Sequence, residues 1–379
     1  MRVAVITESF LPQVNGVTNS VLRVAEHLRR RGHEAIIVAP DDVDVPKTCA
    51  GFEVMTVSAV SFPLYTDIRL GLVPSFVLER LLADWAPDVV HVASPFLIGH
   101  NALLAAARLT LPTVAIYQTD IPSYTGRYGL GFLEARAWAR VRDIHSLATT
   151  TLVPSTYARD QLAAHGVPRV AVWGRGVDTA RFDPAKRDLA LHGEWAPAGQ
   201  VVVGSMGRLA PEKQVADLAV LRDLDGLRLV IVGDGPSRAD LEAALPKALF
   251  LGRRDGDDLA RILASLDIFV HPGELETFGQ AIQEALASGL PVVAPARGGP
   301  VDLVKPGERG FLYEPGRLDQ LREQVRRLAE QPELRRQMGQ AARAFTADRT
   351  WENLGDQLLG HYRAAMRPWS SRGLEIDPR

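Results

Sequence analysis

Two glutamates, Glu276 and Glu284, lie eight residues apart around a turn, Phe278-Gly279, and the start of a short apolar helix. The first turn of a helix presents free backbone N–H groups and a partial positive charge, and both favour a bound phosphate. Carboxylates beside that phosphate can accept hydrogen bonds from hydroxyl groups. The segment therefore predicts a site for a phosphorylated sugar, whereas a charged helix face is the simpler interpretation of Glu284.

A second segment with binding chemistry is the turn at 207–213, which follows a continuous apolar run at 200–205. Its two cations, Arg208 and Lys213, flank Pro211. Ligands of parallel α/β sheets bind beside the carboxyl ends of the strands. There, Arg208 offers a two-pronged guanidinium and Lys213 a point charge to one diphosphate. We predict that this turn binds a diphosphate, and an ordinary exposed basic turn is the alternative.

Polar turns also follow two predicted strands in the first half of the chain. Gly16 comes after strand 2–7, where a helix begins, so a phosphate can approach bare backbone. A plain turn glycine is the alternative, because the sequence lacks the Gly-x-Gly-x-x-Gly fingerprint. Gln118 and Asp120 end strand 112–117, and they are predicted either to face a cleft or to cap the strand.

These turns require a framework of buried parallel strands with helices between them. Short Val- and Ile-rich runs alternate with helical patterns, and most runs are continuous, as in strands covered on both faces. The series of strand, glycine-bearing turn and helix occurs twice, starting near residues 2 and 200, with a polar connection at about 174–198. We predict two doubly wound α/β domains with a cleft between them. The candidate strands are 2–7, 35–39, 88–92, 112–117, 150–153, 170–173, 200–205, 228–232, 248–251, 267–271 and 291–294.

Composition limits the classes of function. The 379 residues carry a formal net charge of −2, which gives no field for binding a polyanion and argues against nucleic-acid binding. The single cysteine, Cys49, excludes an internal disulfide and a cysteine-cluster metal site. The first residues are typical of a short strand and a turn, not of a secretory signal, so we expect a cytoplasmic protein.

No metal is predicted, because Arg208, Lys213 and helix dipoles can neutralise a diphosphate without one. Asp-x-Asp tripeptides often hold a metal at sugar-nucleotide sites, but the first two here lie in polar, loop-like segments. The third follows a predicted strand and is a candidate for reading a nucleobase edge. In chain order, the aspartates of the three tripeptides are Asp42 and Asp44, Asp223 and Asp225, and Asp255 and Asp257.

The stretch 121–142 mixes four aromatic residues with four arginines. An element of this composition either touches a membrane surface or an acceptor, or forms a core helix whose arginines extend outward. We favour the core helix, which requires no partner.

The chain resembles the retaining glycosyltransferases of family 4, which have the GT-B fold, from Met1 to about Met366. Two segments of the first half, 7–17 and 117–120, resemble more closely the actinobacterial GDP-mannose-dependent α-mannosyltransferases that act on glycolipids. The second half carries the more specific motifs. These are Gly207-Arg208…Lys213, Gly233-Asp234-Gly235-Pro236, Gly252 after its strand, Glu276-Thr277-Phe278-Gly279…Glu284-Ala285…Gly289 and Gly298-Gly299.

The resemblance implies how the donor is bound. Gly16, Arg208 and Lys213 would hold the donor diphosphate. Glu276 would contact the hydroxyls of the donor sugar, with the backbone of Phe278-Gly279 beside them. We therefore expect Arg208, Lys213 and Glu276 to be the catalytic residues.

The resemblance also implies roles for the remaining polar residues. Glu284 would bind the ribose, and the segment from Arg254 to Asp257 would read the base. Gln118 and Asp120 would lie on the sugar or acceptor side. Many relatives carry histidine where this chain has Gln118, and glutamine does not titrate near neutrality, so a proton-carrying role is not expected there.

By the same resemblance, an N-terminal, acceptor-side Rossmann-like domain spans 1–173 and receives a C-terminal helix at about 352–379. A donor-nucleotide-binding domain spans 174–351 and faces it across a central cleft. The implied reaction transfers a hexose, with mannose from GDP-mannose the first candidate, to a hydroxyl acceptor such as a glycolipid, with retention of configuration.

No cofactor is expected beyond the nucleotide-sugar substrate. A lipid acceptor would bring the protein to the inner membrane face as a peripheral contact. The alternatives are a nucleotide-sugar epimerase or hydrolase on the same fold, which would consume the donor without an acceptor, and a catalytically silent sugar-nucleotide sensor.

Overall fold

The computed structural model describes residues 1–62, 65–93, 95–120 and 134–367. The chain divides into two compact units. The first comprises Met1–Gly174 and the chain from Trp351 onward, and the second comprises Arg175–Thr350. Residues 368–379, the last part of the predicted C-terminal helix, and the larger part of the aromatic and arginine-rich stretch 121–142 lie outside the described residues.

Continuous apolar strands form the centre of the first unit. Val3, Val5 and Ile6 of its first strand are buried almost completely, because helices cover both faces of the sheet. The strands are β1 (Arg2–Thr7), β2 (Glu34–Pro40), β3 (Thr48–Cys49), β4 (Phe52–Val57), β5 (Ala59–Phe62), β6 (Tyr65–Gly71), β7 (Val89–Ala93), β8 (Thr113–Ile116), β9 (Thr150–Val153) and β10 (Val170–Val172). The helices are α1 (Gly16–Arg30), α2 (Ser75–Trp85), α3 (Ile98–Arg108), α4 (Glu134–Ser146) and α5 (Thr156–Ala164).

Among the described residues, the first sheet has the strand order β10-β9-β8-β7-β1-β2-β4-β3. Its strands are parallel, except that β3 pairs antiparallel with β4, and β5 and β6 form a separate hairpin. The chain runs outward from β1 through β2 and β4, and then continues on the other side of β1 with β7. The strand order therefore reverses between β1 and β7, where doubly wound sheets bind their ligands.

The second unit repeats this plan. Its strands are β11 (Val201–Met206), β12 (Leu227–Val232), β13 (Leu249–Phe250), β14 (Ile268–Val270), β15 (Val292–Pro295) and β16 (Gly310–Tyr313). Its helices are α6 (Leu189–Trp195), α7 (Arg238–Ala244), α8 (Gly256–Ala264), α9 (Gln280–Ala287), α10 (Pro300–Leu303), α11 (Leu318–Glu330) and α12 (Pro332–Thr346). Short 3₁₀ helices lie at Pro184–Lys186, Pro211–Lys213 and Val215–Leu221.

Within the described residues, the second sheet is entirely parallel and has the order β13-β12-β11-β14-β15-β16. Its strand order reverses between β11 and β14. The loops that follow these two strands are consequently neighbours at the carboxyl edge of the sheet. They contain the motifs around Arg208 and Glu276.

The last described helix, α13 (Trp351–Met366), belongs to the first unit although it follows the second in sequence. Its apolar face, including Leu358 and Tyr362, packs in one core with Val24 and Leu28 of α1. The indole Nε1 of Trp173 donates a hydrogen bond of 2.8 Å to the backbone oxygen of Leu354. Helix α13 is therefore part of the first hydrophobic core.

The prediction of two doubly wound α/β units is confirmed, and every predicted strand overlaps an observed one. Within the described residues, β3 to β6 and β16 were not predicted. β3 has two residues, and β4 alternates between buried Phe52 and exposed Glu53 in place of a continuous apolar run. β16 has four residues and begins with a glycine. None of the helices in the described ranges has both the length and the apolar character needed to cross a membrane.

Candidate active site

The switch point of the second sheet brings two loops together. One follows β11 and carries Arg208 and Lys213, and the other follows β14 and carries Glu276. Because the strands are parallel and adjacent, both loops leave the sheet at the same edge. The three residues expected from the sequence to be catalytic therefore belong to one neighbourhood of the second unit.

Glycines allow the loop after β11 to pack against the loop after β12. A Cβ atom added at Gly233 would lie 1.9 Å from the backbone oxygen of Gly207, and one at Gly235 would lie 2.4 Å from that of Leu209. The amide of Leu209 donates a 2.9 Å hydrogen bond to the backbone oxygen of Asp234. This backbone contact requires glycine at both positions, and it fixes the loop that carries Arg208.

Arg208 itself is exposed. Its side chain makes no ion pair or hydrogen bond with any residue that the structure describes. A guanidinium held on a rigid loop without a protein partner is suited to binding an anionic ligand.

Lys213 and Glu276 form a hydrogen-bonded ion pair across the switch point. The Lys213 Nζ atom donates to Glu276 Oε1, and the two side chains are only 25% and 17% exposed. Burial opposes ionisation of Glu276, but Lys213, His271 and Arg175 together hold its pKa below the ordinary value. Glu276 is consequently a carboxylate at neutral pH, and it holds the ammonium group of Lys213 at the edge of the sheet.

Two residues near this pair were not predicted from the sequence. His271 directly follows β14, is 4% exposed, and places its Nε2 atom 3.5 Å from Glu276 Oε1. Burial lowers the pKa of His271 to about 4, although Glu276 raises it and Lys213 lowers it further. Burial also lowers the pKa of Arg175 to about 10, against the attraction of Glu276. The negative charge of Glu276 thus raises the pKa of both residues against the effect of burial.

A sequence signal existed for each of these two residues. Arg175 lies between Gly174 and Gly176, an unusual place for a charge, but in the sequence it falls within the polar connection. His271 is the last residue of the predicted strand 267–271, where it reads as part of the framework.

The turn Phe278-Gly279 is held by a second pair of glycines. A Cβ atom at Gly299 would lie 2.1 Å from the backbone oxygen of Phe278, and one at Gly298 would lie 2.3 Å from that of Glu276. The amide of Gly299 donates a 2.7 Å hydrogen bond to the Glu276 backbone oxygen. Gly279 has a φ of 96° and precedes the first residue of α9, so the turn leads directly into the free amides of that helix.

Glu284 lies on α9 and is partly buried. Its Oε1 atom accepts a 3.3 Å hydrogen bond from Gln280 Nε2. Burial raises the pKa of Glu284 to about 7, although Gln280 and Arg181 act in the opposite direction. A carboxyl group with this environment is not part of a solvated helix face, which was the simpler interpretation of the sequence.

Arg254 and Asp257, expected to read the base, lie on the surface near the start of α8. Arg254 donates a 3.0 Å hydrogen bond to the backbone oxygen of Leu251 and pairs with Asp258 at 3.3 Å. Asp257 has a side chain that is 84% exposed and pairs with Lys186 at 2.8 Å. No ion pair joins either residue to Lys213 or Glu276 in the described part of the chain. Base reading by these residues stays a prediction.

In the first unit, Gly16 is the first residue of α1 and is exposed. The side chain of Asn15 caps this helix, because its Oδ1 atom accepts hydrogen bonds from the amides of Val17 at 2.9 Å and Thr18 at 3.0 Å. Two amides of the first turn therefore already have a protein acceptor. The Gly16 backbone remains the predicted point of approach for a phosphate.

Gln118 and Asp120 follow β8 at the carboxyl edge of the first sheet. Gln118 is 8% exposed and lines a cavity of about 80 Å³ together with Phe96 and His145. Asp120 Oδ1 accepts a 3.1 Å hydrogen bond from the hydroxyl of Tyr117. Asp120 thus accepts a hydrogen bond from the residue that follows β8. Contact of Gln118 and Asp120 with the sugar or the acceptor stays a prediction.

The stretch 121–142 is described only from Glu134 onward, where α4 begins. In this part Trp138 is 6% exposed, and its ring stacks on that of His165 with the centroids 3.8 Å apart. The described part therefore has the character of a core-facing helix.

Residues 14–181 match the family model described as Glycosyltransferase Family 4, and residues 192–345 match the model described as Glycosyl transferases group 1. The chain is 49% identical to the GDP-mannose-dependent alpha-mannosyltransferase of Mycobacterium tuberculosis (strain CDC 1551 / Oshkosh), over 96% of this chain and 97% of that protein. A protein of the same name from Corynebacterium glutamicum is 44% identical, over 96% of this chain and 88% of that protein.

Solved structures show the same architecture. Anabaena HepE, crystallised with UDP, matches with a TM-score of 0.78 and 18% identity, over 96% of this chain and all of that chain (100%). Sucrose-phosphate synthase from Thermosynechococcus elongatus matches with a TM-score of 0.77 and 19% identity, over 96% of this chain and 98% of that chain. At these identities the likeness concerns the fold, which is GT-B.

Proposed function

The chain belongs to glycosyltransferase family 4, and from this premise we propose that it transfers a mannosyl group from GDP-mannose to a hydroxyl acceptor with retention of configuration. The choice of donor is supported by the names of the relatives that are 49% and 44% identical over nearly the whole chain. The choice of residues is supported by one observation above all. The Lys213–Glu276 ion pair lies at the switch point of the second sheet, together with the exposed Arg208, whose side chain has no ion pair within the described ranges.

Arg208 and Lys213 act on the leaving group in this proposal. Breaking the bond between sugar and phosphate leaves growing negative charge on the diphosphate, and preorganised cations stabilise that charge most where water is excluded. Arg208 binds the diphosphate through its guanidinium fork. Lys213, which pairs with Glu276 in the free protein, supplies the second positive charge.

Glu276 acts on the sugar. Its Oε1 atom accepts from Lys213, whereas no hydrogen bond to Oε2 is present among the described residues. Oε2 therefore accepts a hydrogen bond from a hydroxyl of the donor sugar. A carboxylate in this position also stabilises the oxocarbenium-like charge that develops as the sugar departs from the phosphate.

The remaining residues complete the proposed donor and acceptor sites. Gly16 approaches the same diphosphate from the start of α1, and Glu284 binds the ribose. The segment from Arg254 to Asp257 reads the guanine. Gln118 and Asp120 face the sugar or the acceptor. We propose that the acceptor is a glycolipid reached at a membrane surface, and that the reaction requires no metal or cofactor.

The first test is turnover of GDP-mannose by the wild-type protein, measured as GDP release with and without octyl α-D-glucopyranoside as a glycolipid-like probe. We expect release that depends on the probe and a product with the α-anomeric configuration by NMR. Release that is independent of any acceptor would support a hydrolase or epimerase instead. Binding of GDP-mannose without turnover would support a sensor.

The second test is Lys213→Ala, with Lys305→Ala as the matched control because Lys305 is an exposed lysine of the same unit. Loss of one preorganised contact to a developing charge lowers the rate by on the order of 10² or more. We expect that loss for Lys213→Ala and none for Lys305→Ala. Near-normal turnover in Lys213→Ala, with the fold intact by circular dichroism, would refute the assigned role.

A further inference from the structure

We propose that His271 is a positioning residue. It donates a hydrogen bond to the carboxylate of Glu276 when the ammonium group of Lys213 turns toward the donor diphosphate. This inference rests on the proposed function, because it requires a ligand that competes with Glu276 for the ammonium group. His271 acts through Glu276 and does not itself contact the donor.

The imidazole of His271 lies beside a carboxylate oxygen that already accepts a hydrogen bond from Lys213. Lys213 Nζ and His271 Nε2 both face the same oxygen of Glu276, Oε1. The Nε2 atom lies 3.5 Å from this oxygen, too far for a normal hydrogen bond, and among the described residues it has no hydrogen-bond partner. A buried ring nitrogen without a partner is uncommon and calls for a physical explanation.

The backbone that carries the ring is fixed by the sheet, and the ring is almost fully buried. His271 follows β14 directly, and its backbone amide donates a 2.9 Å hydrogen bond to the backbone oxygen of Val293 in β15. A Cβ atom at Gly273 would lie 3.3 Å from His271 Nε2 and 3.4 Å from the backbone oxygen of Lys213. The bare backbone of Gly273 therefore lets the lysine loop and the imidazole lie side by side.

A hydrogen bond from His271 would offset part of the cost of an exchange of partners. Lys213 has a flexible four-carbon stem, so its ammonium group can turn from Glu276 to a diphosphate without moving the backbone. Glu276 would then be a buried carboxylate that has lost its closest cation, which is costly. A shift of about 0.6 Å brings Oε1 within hydrogen-bond distance of Nε2, and a hydrogen bond to a charged acceptor is among the stronger ones.

The protonation state of His271 fits this role. Burial lowers its pKa to about 4, so the ring is neutral at pH 7 and carries one N–H group. A neutral imidazole beside the carboxylate donates that hydrogen without adding a third positive charge next to Lys213 and Arg175. The carboxylate keeps its ionised form, which the sugar hydroxyl requires as an acceptor.

The decisive comparison is His271→Gln against His271→Leu, both measured for GDP-mannose affinity by calorimetry, for kcat and KM, and for melting temperature without ligand. Glutamine retains a donor close to the position of Nε2, and leucine fills a similar volume without one. We expect His271→Leu to weaken donor binding and kcat/KM roughly 10- to 100-fold. We expect His271→Gln to stay within about threefold of the wild type.

A packing role predicts the opposite pattern. Leucine would then match the wild type, or both variants would lose activity equally while melting at lower temperature, and either result would overturn the role of His271. The proposed function would survive that result, because wild-type turnover of GDP-mannose tests it separately. If the wild type bound neither GDP nor GDP-mannose, both proposals would fall.

A second measurement needs no variant to fold. In wild-type protein labelled with ¹⁵N-histidine, addition of GDP is expected to move the Nε2–H resonance of His271 downfield, because the hydrogen bond to Glu276 forms only then. An unchanged resonance in the presence of saturating GDP would overturn the exchange of partners.

Discussion

Arg208 and Lys213 carry the same charge but occupy different states in the free protein. Lys213 neutralises a buried carboxylate, so its removal disturbs the protein as well as any ligand. Arg208 is exposed and has no ion pair with the described residues. The contribution of Arg208 to a ligand can therefore be measured without a change in the free protein.

We predict that Arg208→Ala lowers turnover of GDP-mannose by on the order of 10² and leaves the melting temperature unchanged. The matched control is Arg222→Ala, because Arg222 is a 62% exposed arginine at the opposite, amino edge of the same sheet. The control should retain full activity. Equal activity of the two variants would remove Arg208 from the mechanism.

Glu284 gives a prediction about pH. Its pKa is raised by burial from 4.5 to about 7, so between these pH values the folded protein holds a proton that the unfolded chain has lost. The contribution of Glu284 to the free energy of unfolding is therefore largest below about pH 4.5, and it falls by roughly 3 kcal/mol as the pH rises to about 7. Glu284→Gln removes this dependence.

The measurement compares the melting temperatures of the wild type and Glu284→Gln at about pH 5 and about pH 8. Between the two pH values, the melting temperature of the wild type should fall further than that of Glu284→Gln. Parallel changes in the two proteins would show that Glu284 titrates at its ordinary pKa.

The sequence indicated the chemistry of single residues better than their partners. Arg208, Lys213, Glu276 and Glu284 were identified because a turn or a helix start follows a strand in each case. The ion pair of Lys213 with Glu276 was not predictable, because it joins residues 63 positions apart through the order of two strands. Strand order depends on tertiary packing, which the pattern of apolar runs along the chain does not reveal.

At the scale of elements, α13 shows how a late segment is fitted to an early helix. A Cβ atom at Gly355 would lie 2.4 Å from the ring of His27 on α1. His27 Nε2 lies 3.1 Å from Asp356 Oδ1, and Arg31 donates a 2.8 Å hydrogen bond to the same oxygen. The close contact of α13 with α1 therefore depends on a glycine at the crossing.

We predict that Gly355→Ala destabilises the protein by about 1–3 kcal/mol, because the added methyl group overpacks the crossing. Gly360 provides the control within the same helix, since a Cβ atom there would meet no atom within 4 Å. Gly360→Ala should stabilise by about 0.5–1 kcal/mol through helix propensity. Urea or thermal unfolding distinguishes the two, and a stabilising Gly355→Ala would contradict the contact.

The elements themselves were largely predictable, for a physical reason. Strands buried on both faces give continuous apolar runs that stand out from amphipathic helices, and all eleven predicted strands, most of them such runs, overlap strands among the described residues. The strands that were missed are short or lie outside this pattern, as β3 and β16 do. A run of two to four residues is too short to be distinguished from a loop by its sequence pattern.

At the scale of the whole molecule, the chain builds two units of one design and returns to the first with α13. Each sheet reverses its strand order once, and each reversal lies beside residues that the family resemblance assigns to ligand binding. The two family models match residues 14–181 and 192–345, so both units contain matched segments.

The most direct test is a crystal structure of the protein with GDP. We predict that Arg208 and Lys213 both lie within about 3 Å of diphosphate oxygens, with the backbone at Gly16 on the same diphosphate. His271 Nε2 should then lie at hydrogen-bond distance from Glu276. GDP bound elsewhere, with Arg208 and Lys213 unchanged from the free protein, would contradict the proposed donor site.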